Sequence, residues 1–383
     1  MNKPERRYDL DWLRVLAFAG VFFFHNARFF NIDDWHVKNA ETSVIVEIFT
    51  SLFSLWGMQL IFIISGASVF FALRPGEAMR FLRDRFMRLL VPLALGILVL
   101  APPQLFLERV THGQFQGTFF DFLPRFFPSE ILAGAWTGIH LWYLEYLFVF
   151  TLVLTPLFIW LKGQAGQRVI DWLSRLTARP GAVFLWILPV ALLLLVIDPF
   201  GMTRPSLPEA IVRLLMFPFF LVYGFLIIAD DKIQAVIIRH RRAALSVALV
   251  LSLAMPPIVA GFESGSWEYS LPIFALLMTA AALLAWAYIL AILGYGFRYL
   301  NFNHPRLAYA NEAVLPFYIL HQPIILLIGY FVVPLVLPMA YKYLIIAPLA
   351  LAIILSVYEF GVRRWNPVRR LFGLKARKME QTI

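Results

Sequence analysis

Ten runs of apolar residues, most of them close to twenty long, divide this chain almost from end to end. They fall at about 10–30, 44–73, 89–107, 138–161, 182–198, 210–229, 243–261, 271–295, 309–331 and 341–361. A helix rises about 1.5 Å per residue, so about 20 residues carry it across the roughly 30 Å hydrocarbon layer of a bilayer. Lipid offers the backbone no water to bond, and a lone segment can satisfy its own N–H and C=O groups there only as a helix. Composition leaves no soluble alternative. Apolar residues make up 61% of the 383 and charged ones 15%, against roughly 45–50% and about 25% in soluble globular chains. The expected fold is an all-α integral membrane protein of about ten transmembrane helices. It is read as a single membrane domain over 1–383, with spans from about 10 to 361 and a basic tail at 362–383.

The first run has a basic flank (Lys3, Arg6, Arg7) and superficially looks like a signal peptide. No small-x-small cleavage site follows Phe24, and Asp11, Arg14 and His25 interrupt the run, so it reads as a retained span. The formal charge is +10. In a membrane protein the placement of that excess matters more than its size, and no nucleic-acid partner is expected. If the chain crosses ten times, 25 of the 33 Lys and Arg fall in the termini and alternate connections on one side, and six on the other. That asymmetry places both termini in the cytoplasm. The longest outer connection, about 108–137, carries Phe115, Phe119, Phe120, Phe122, Phe126 and Phe127; it is too apolar for a free loop and is expected to be re-entrant or interfacial. The absence of cysteine excludes disulfides, thiolate metal sites, iron–sulfur clusters and a cysteine nucleophile. No metal site and no tightly bound cofactor is expected.

An ionisable side chain at the centre of a membrane helix costs about 2.5–3.5 kcal/mol or more, which makes each one a functional candidate. The candidates are Asp11, Arg14, His25, Glu145, Arg213, Glu312, His321 and Glu359. Arg14 and His25 are eleven residues apart, which leaves about 20° beyond three turns and separates them by about 16 Å on one helix face. They cannot touch, but they can address two ends of one long ligand. The structural alternative pairs Arg14 with Asp11 one turn away and leaves His25 at the outer end. Glu145, in His140-Leu-Trp142-Tyr-Leu-Glu145, should lie at a depth similar to His25, where a carboxylate could fix an imidazole tautomer; the competing reading is an ion pair with Arg213. His321 is followed by Pro323, whose missing N–H frees the carbonyl of residue 319 and marks a cavity-lining helix. Arg85 and Arg88 follow at i,i+3, a spacing that suits a phosphate as well as lipid headgroups. Ser65 and Gly66 read as small residues that permit close helix packing. The phosphate-loop, dinucleotide, zincin and serine-elbow signatures are missing.

Taken together, Asp11-Trp-Leu-Arg14 followed ten residues later by His25, Phe62-Ile-Ile-Ser-Gly66, Arg85-x-x-Arg88-Leu-x-x-Pro92, His140-Leu-Trp142-Tyr-Leu and Tyr318-Ile-Leu-His321-x-Pro323 resemble the membrane acyltransferase-3 family over about residues 8–361. Trp35-His36-Val37 with Ala40-Glu41, Met58-Gln59, Leu300-Asn-Phe302 and Tyr358-Glu359 look closer to its glucan-biosynthesis branch. Glu145 departs from the pattern, which mostly places an apolar residue there. The resemblance implies acyl transfer from cytoplasmic acyl-CoA, as co-substrate, to a carbohydrate hydroxyl on the outer side of a bacterial inner membrane. In the glucan branch the donor would be succinyl-CoA, with acetyl-CoA as the other candidate, and the acceptor a periplasmic glucan. It implies His25 as a catalytic residue and Arg14, Arg85 and Arg88 as donor-binding; Glu145, which departs from the pattern, is a second catalytic candidate from its inferred depth beside His25. His321, Arg213, Trp142 and His140 would bind substrate. Two other classes fit the intramembrane charges: a transporter or flippase, and a haem-b carrier ligated by His25 and His321.

Overall fold

A computed structural model describes residues 6–126, 139–197, 209–264 and 270–377. Every regular element among them is helical. Eight helical stretches among the described residues are long and apolar enough to cross a membrane, so this is a multi-pass membrane protein. They are α2 (Val44–Ala72), α3 (Ala78–Leu95) running through a π turn at Gly96–Leu100 into α4 (Ala101–Thr111), and α6 (Trp142–Lys162). The others are α9 (Glu209–Ala229), α10 (Asp231–Glu263), α11 (Leu271–Tyr299), α12 (Pro305–Val332) and α13 (Met339–Ser356), which ends in a π turn at Val357–Val362. The two remaining apolar runs are helical as well but fall short by this measure. The helix α1 (Tyr8–Ala27) is diluted by Asp9, Asp11, Arg14, His25 and Asn26. The 182–198 run forms a 3₁₀ segment at Ala182–Ile187 and then only ten residues of α8 (Leu188–Ile197).

Several expected connections are helices instead. Arg80 to Arg88 lie on the N-terminal half of α3, residues 164–177 form α7 (Gln164–Thr177), and 231–242 belong to α10. Charged residues there alternate with apolar ones at helical spacing, so a helix can continue past the hydrocarbon with one face still covered. In the 108–137 segment, α5 (Phe119–Arg125) starts with a capping box between Thr118 and Asp121. Phe122 and Phe126 are buried against Ala101 and Leu105, with Phe106, Phe115 and Ile139 around them. Phe115, Phe122 and Phe126 thus cover α4, whereas Phe120 is exposed; residues 127–138, including Phe127, lie outside the described residues.

The chain forms two compact units. The first comprises residues up to Ala17, Leu52–Ala78 and Val153–His304. Its tightest crossing joins α2 and α9. A Cβ on Gly66 would lie 1.9 Å from the carbonyl oxygen of Leu221, and one on Gly224 1.9 Å from that of Ile63. The two backbones meet over reciprocal glycines, the close packing that Ser65-Gly66 suggested. Lys162 donates to the carbonyls of Phe70 and Leu73, closing the C-terminal end of α2. The indole of Trp286 stacks on Trp186 and donates to the carbonyl of Val183.

The second unit comprises Phe18–Ser51, Met79–Leu152 and Pro305–Ile383. Here α12 packs along α13 and against α4. The buried Lys342 of α13 donates to Asn39 Oδ1 (2.7 Å) and to the carbonyl of Val333 (2.6 Å), so it pins the 28–43 loop to the α12–α13 turn. Near the other end of α12, Glu312 accepts from the buried Arg369 of α14 (Asn366–Leu371) and from Tyr358.

Candidate active site

The second unit brings three of the sequence-selected histidines together. His25, in the last turn of α1, sits with Nδ1 3.1 Å from Nε2 of His321 and 3.0 Å from the carbonyl oxygen of Val21. The ring centroids of His25 and His321 are 4.8 Å apart, and those of His321 and His140 5.2 Å. Both His140 and His321 are buried, and His25 is partly buried.

Their hydrogen-bond partners fix the tautomers. His321 Nδ1 faces the carbonyl of Tyr318, which can only accept, so Nδ1 carries the proton and Nε2 the lone pair. His25 Nδ1 faces two acceptors, that lone pair and the carbonyl of Val21, so it too carries the proton. The lone pair of His25 is left on Nε2. An imidazole that donates from one nitrogen to a fixed acceptor and presents the other as a base is the arrangement general-base catalysis requires. Here the orienting acceptor is a second imidazole.

His140 is held by the same stretch of α12. Its Nε2–H donates to the carbonyl oxygen of Ile319 (3.1 Å), the group that Pro323 leaves without an i+4 donor. The hydroxyl of Tyr318 donates back to the carbonyl of His140. Ile139, just before it, has φ +62°, a conformation that is an outlier for a β-branched residue and is held only where the surroundings dictate it. The remaining acceptor, His140 Nδ1, is buried with no hydrogen-bond partner among the described residues. Phe18, Tyr143 and Tyr318 meet edge-on, with centroids 5.3–6.1 Å apart, and Phe317 stacks parallel to His321, so the imidazoles lie in aromatic surroundings. Exclusion of water there strengthens every hydrogen bond the site makes.

The other selected residues are dispersed. Glu145, in the first turn of α6, makes no hydrogen bond to His25; its Oε2 is buried without a hydrogen-bond partner among the described residues. Trp142, at the start of the same helix, meets Tyr146 edge-on. Arg85 lies half-buried over the ring of Phe81, and Arg88 is exposed one turn later. In the first unit, Arg14 donates to Ser68 Oγ (2.6 Å) and lies 3.8 Å from Asp11, so the i,i+3 pair is present. Arg213 is partly buried on the second turn of α9.

One constellation was not selected from sequence. His36 Nδ1 is hydrogen-bonded to Glu108 Oε2, and Gln322 Nε2 donates to His36 Nε2 (3.2 Å). His36 and Glu108 lie 72 residues apart, and no spacing rule joins them. Only the Trp35-His36-Val37 element of the resemblance touches this group.

The direct hydrogen bond between His25 and His321 leaves no room for a haem plane between two axial ligands. No group of three or more metal-ligating side chains occurs among the described residues.

Comparison with known proteins gives the family of the whole chain. The Acyl_transf_3 family, described as an acyltransferase domain, matches residues 7–359. Glucans biosynthesis protein C of Salmonella paratyphi A is 22% identical over 367 residues, covering 94% of this chain and 92% of that protein. Its counterpart from Salmonella heidelberg is 23% identical over 368 residues, with the same coverage. No solved structure matches. With nearly its whole length matched, the chain belongs to the acyltransferase-3 family of membrane acyltransferases.

Proposed function

We propose that this enzyme transfers an acyl group from cytoplasmic acyl-CoA to a hydroxyl of a periplasmic glucan or a related carbohydrate, with His25 as general base. The observation that carries the reading is the His25 Nδ1 to His321 Nε2 contact, which leaves Nε2 of His25 as the free base. As the acceptor oxygen bonds to the thioester carbonyl carbon, its proton passes to Nε2. The resulting imidazolium keeps its Nδ1–H on His321 and Val21. When the C–S bond breaks, the departing CoA thiolate takes the proton from Nε2, and an ester and free CoA remain. Positioned proton transfer of this kind is worth typically 10²–10⁴-fold.

Arg85 and Arg88 are the proposed contacts for the phosphates of the donor, with Arg14 as a further cation. His140, whose Nδ1 is an unpaired buried acceptor, and Trp142 are proposed to contact the substrate. Glu145 supplies a second unpaired oxygen. Ten spans rest on the apolar runs, cytoplasmic termini on the distribution of basic residues, and a bacterial inner-membrane location on the family resemblance; a C-terminal reporter active only in the periplasm would sink that topology. Succinyl-CoA is the favoured donor and acetyl-CoA the alternative. A succinyl carboxylate needs a cation, because an unpaired buried charge costs several kcal/mol; Arg213 is the candidate. Arg213→Gln should lose succinyl transfer disproportionately, whereas equal loss with both donors makes Arg213 structural.

The test of the whole reading is to incubate purified protein with succinyl-CoA or acetyl-CoA and glucan. Free CoA and acylated glucan in equal amounts support it. Intact donor with every glycan offered overturns it.

A further inference from the structure

The outer loop between α1 and α2 is bonded to α4 just after one tryptophan and approaches the C-terminal cap of α4 just before it. Asp34 Oδ1 lies 3.8 Å from His112 Nε2, and His36 is bonded to Glu108, one turn earlier on α4. The carbonyl of Asp34 also accepts from Arg28 (2.7 Å), and its side chain accepts from the N–H of Trp35 (2.8 Å). Between the two contacts, the indole of Trp35 is held edge-on to Phe29 (4.9 Å), 5.5 Å from the ring of His36 and 6.1 Å from that of His25. Trp35 is only partly buried. Its indole N–H has no hydrogen-bond partner among the described residues, whereas the indole N–H groups of Trp12, Trp186 and Trp286 donate to Phe302, Thr177 and Val183.

We infer that Trp35 is the platform on which the sugar ring of the acceptor rests, with the His36–Glu108 pair fixing a hydroxyl beside it; this builds on the acyl-transfer reading above. A hexopyranose has an apolar C–H face and a rim of hydroxyls. An indole offers the matching apolar face and one donor, at low entropic cost because it has only two side-chain torsions. The carboxylate of Glu108, already oriented by His36, accepts from a ring hydroxyl. A second hydroxyl of the same ring then meets the lone pair on His25 Nε2. Two fixed contacts on one rigid ring set the orientation of the reacting hydroxyl, which is how positioning lowers a barrier. Held in place at 34 and 36, Trp35 presents a preformed face and needs no reordering on binding.

The experiment uses the purified full-length protein in detergent and glucose disaccharides of three linkages: sophorose, laminaribiose and maltose. Binding is measured by calorimetry without donor, and steady-state transfer is measured with acyl-CoA varied and acceptor varied separately. Trp35→Ala should weaken disaccharide binding and raise the acceptor KM about tenfold or more, with the donor KM unchanged. Trp35→Phe, which keeps an aromatic face, should recover most of the affinity. Unaltered disaccharide binding in Trp35→Ala, or a fall in kcat with an unchanged acceptor KM, overturns the assignment and makes Trp35 a packing partner of His25. Wild-type protein that binds none of the disaccharides overturns it as well. Loss of calorimetric binding in Trp35→Ala supports the subsite even if no acyl-CoA is consumed, so failure of the acyl-transfer reading is scored separately.

Discussion

His140 donates its Nε2–H to the carbonyl of Ile319, an acceptor that Pro323, four residues later, leaves without an intrahelical donor. The proline within α12 and the histidine therefore act as one device. It fixes the ring that packs on His321, which in turn orients His25.

Replacing that proline tests the device. Pro323→Ala restores an N–H aimed at the Ile319 carbonyl and relieves the clash a proline imposes within a helix. The variant should melt no lower than wild type, yet its kcat should fall by about five- to tenfold as His140 loses sole use of its acceptor. Wild-type turnover in Pro323→Ala contradicts a positioning role for this bond.

The imidazole of His321 acts through what it accepts. In His321→Ala the Nδ1–H of His25 keeps only the carbonyl of Val21, and kcat should drop by about 10- to 100-fold with little change in either KM. His321→Gln offers a carbonyl oxygen to the same proton and should regain part of the loss. Equal damage in both variants would show that the site needs this ring for packing alone.

Much of this arrangement is foreshadowed by the chain itself, for reasons that are local. Apolar length marks the eight long helices, because lipid imposes it on each one separately. The carbonyl freed at residue 319 follows from Pro323 alone, and the close packing at Gly66 from the lack of a side chain. Pairings between helices are a different matter. His25 and His321 stand 296 residues apart and His36 and Glu108 72 apart, and which residues meet is decided by packing rather than by periodicity. For the same reason Glu145 was the carboxylate expected beside His25, whereas the structure gives that position to an imidazole. The charged connections that turn out to be helical share this origin: charge marks where hydrocarbon ends, and the helix can continue beyond it.

Close helix packing makes its own prediction. At Gly66 an added methyl meets the Leu221 backbone carbonyl, which cannot rotate away as a side chain can. Gly66→Ala should therefore cost about 1–3 kcal/mol or more of overpacking and lower the melting temperature and the yield of folded protein. Gly361→Ala is the control, since a Cβ there meets nothing within 4 Å. Equal stability of the two variants would contradict the reciprocal crossing.

Outside the spans, Lys38 donates to the carbonyls of Arg28 and Asn31 and to Asn31 Oδ1. Burial, and then the charge of Arg28, holds its pKa down to about 8 from the ordinary 10.5. The unfolded chain thus binds more protons than the folded one between about pH 8 and 10.5. The cost of burying the ammonium is fully present below that window and is relieved as pH rises through it, so this group's contribution to stability increases with pH there. Brief treatment with acetic anhydride at pH 8, read by peptide mass spectrometry, should modify Lys38 ahead of the exposed Lys232. Slower modification of Lys38 than of Lys232 would contradict the depressed pKa.

The central claim is that Nε2 of His25 takes the proton of the attacking hydroxyl, and the turnover of His25→Ala measures it most directly. The variant is assayed with saturating acyl-CoA and glucan, after size-exclusion and melting behaviour show that it is folded. A base worth at least about 10² predicts turnover at or below roughly a hundredth of wild type. Retention of more than about a tenth of wild-type turnover, in a variant that folds, contradicts the assignment of His25 as the base.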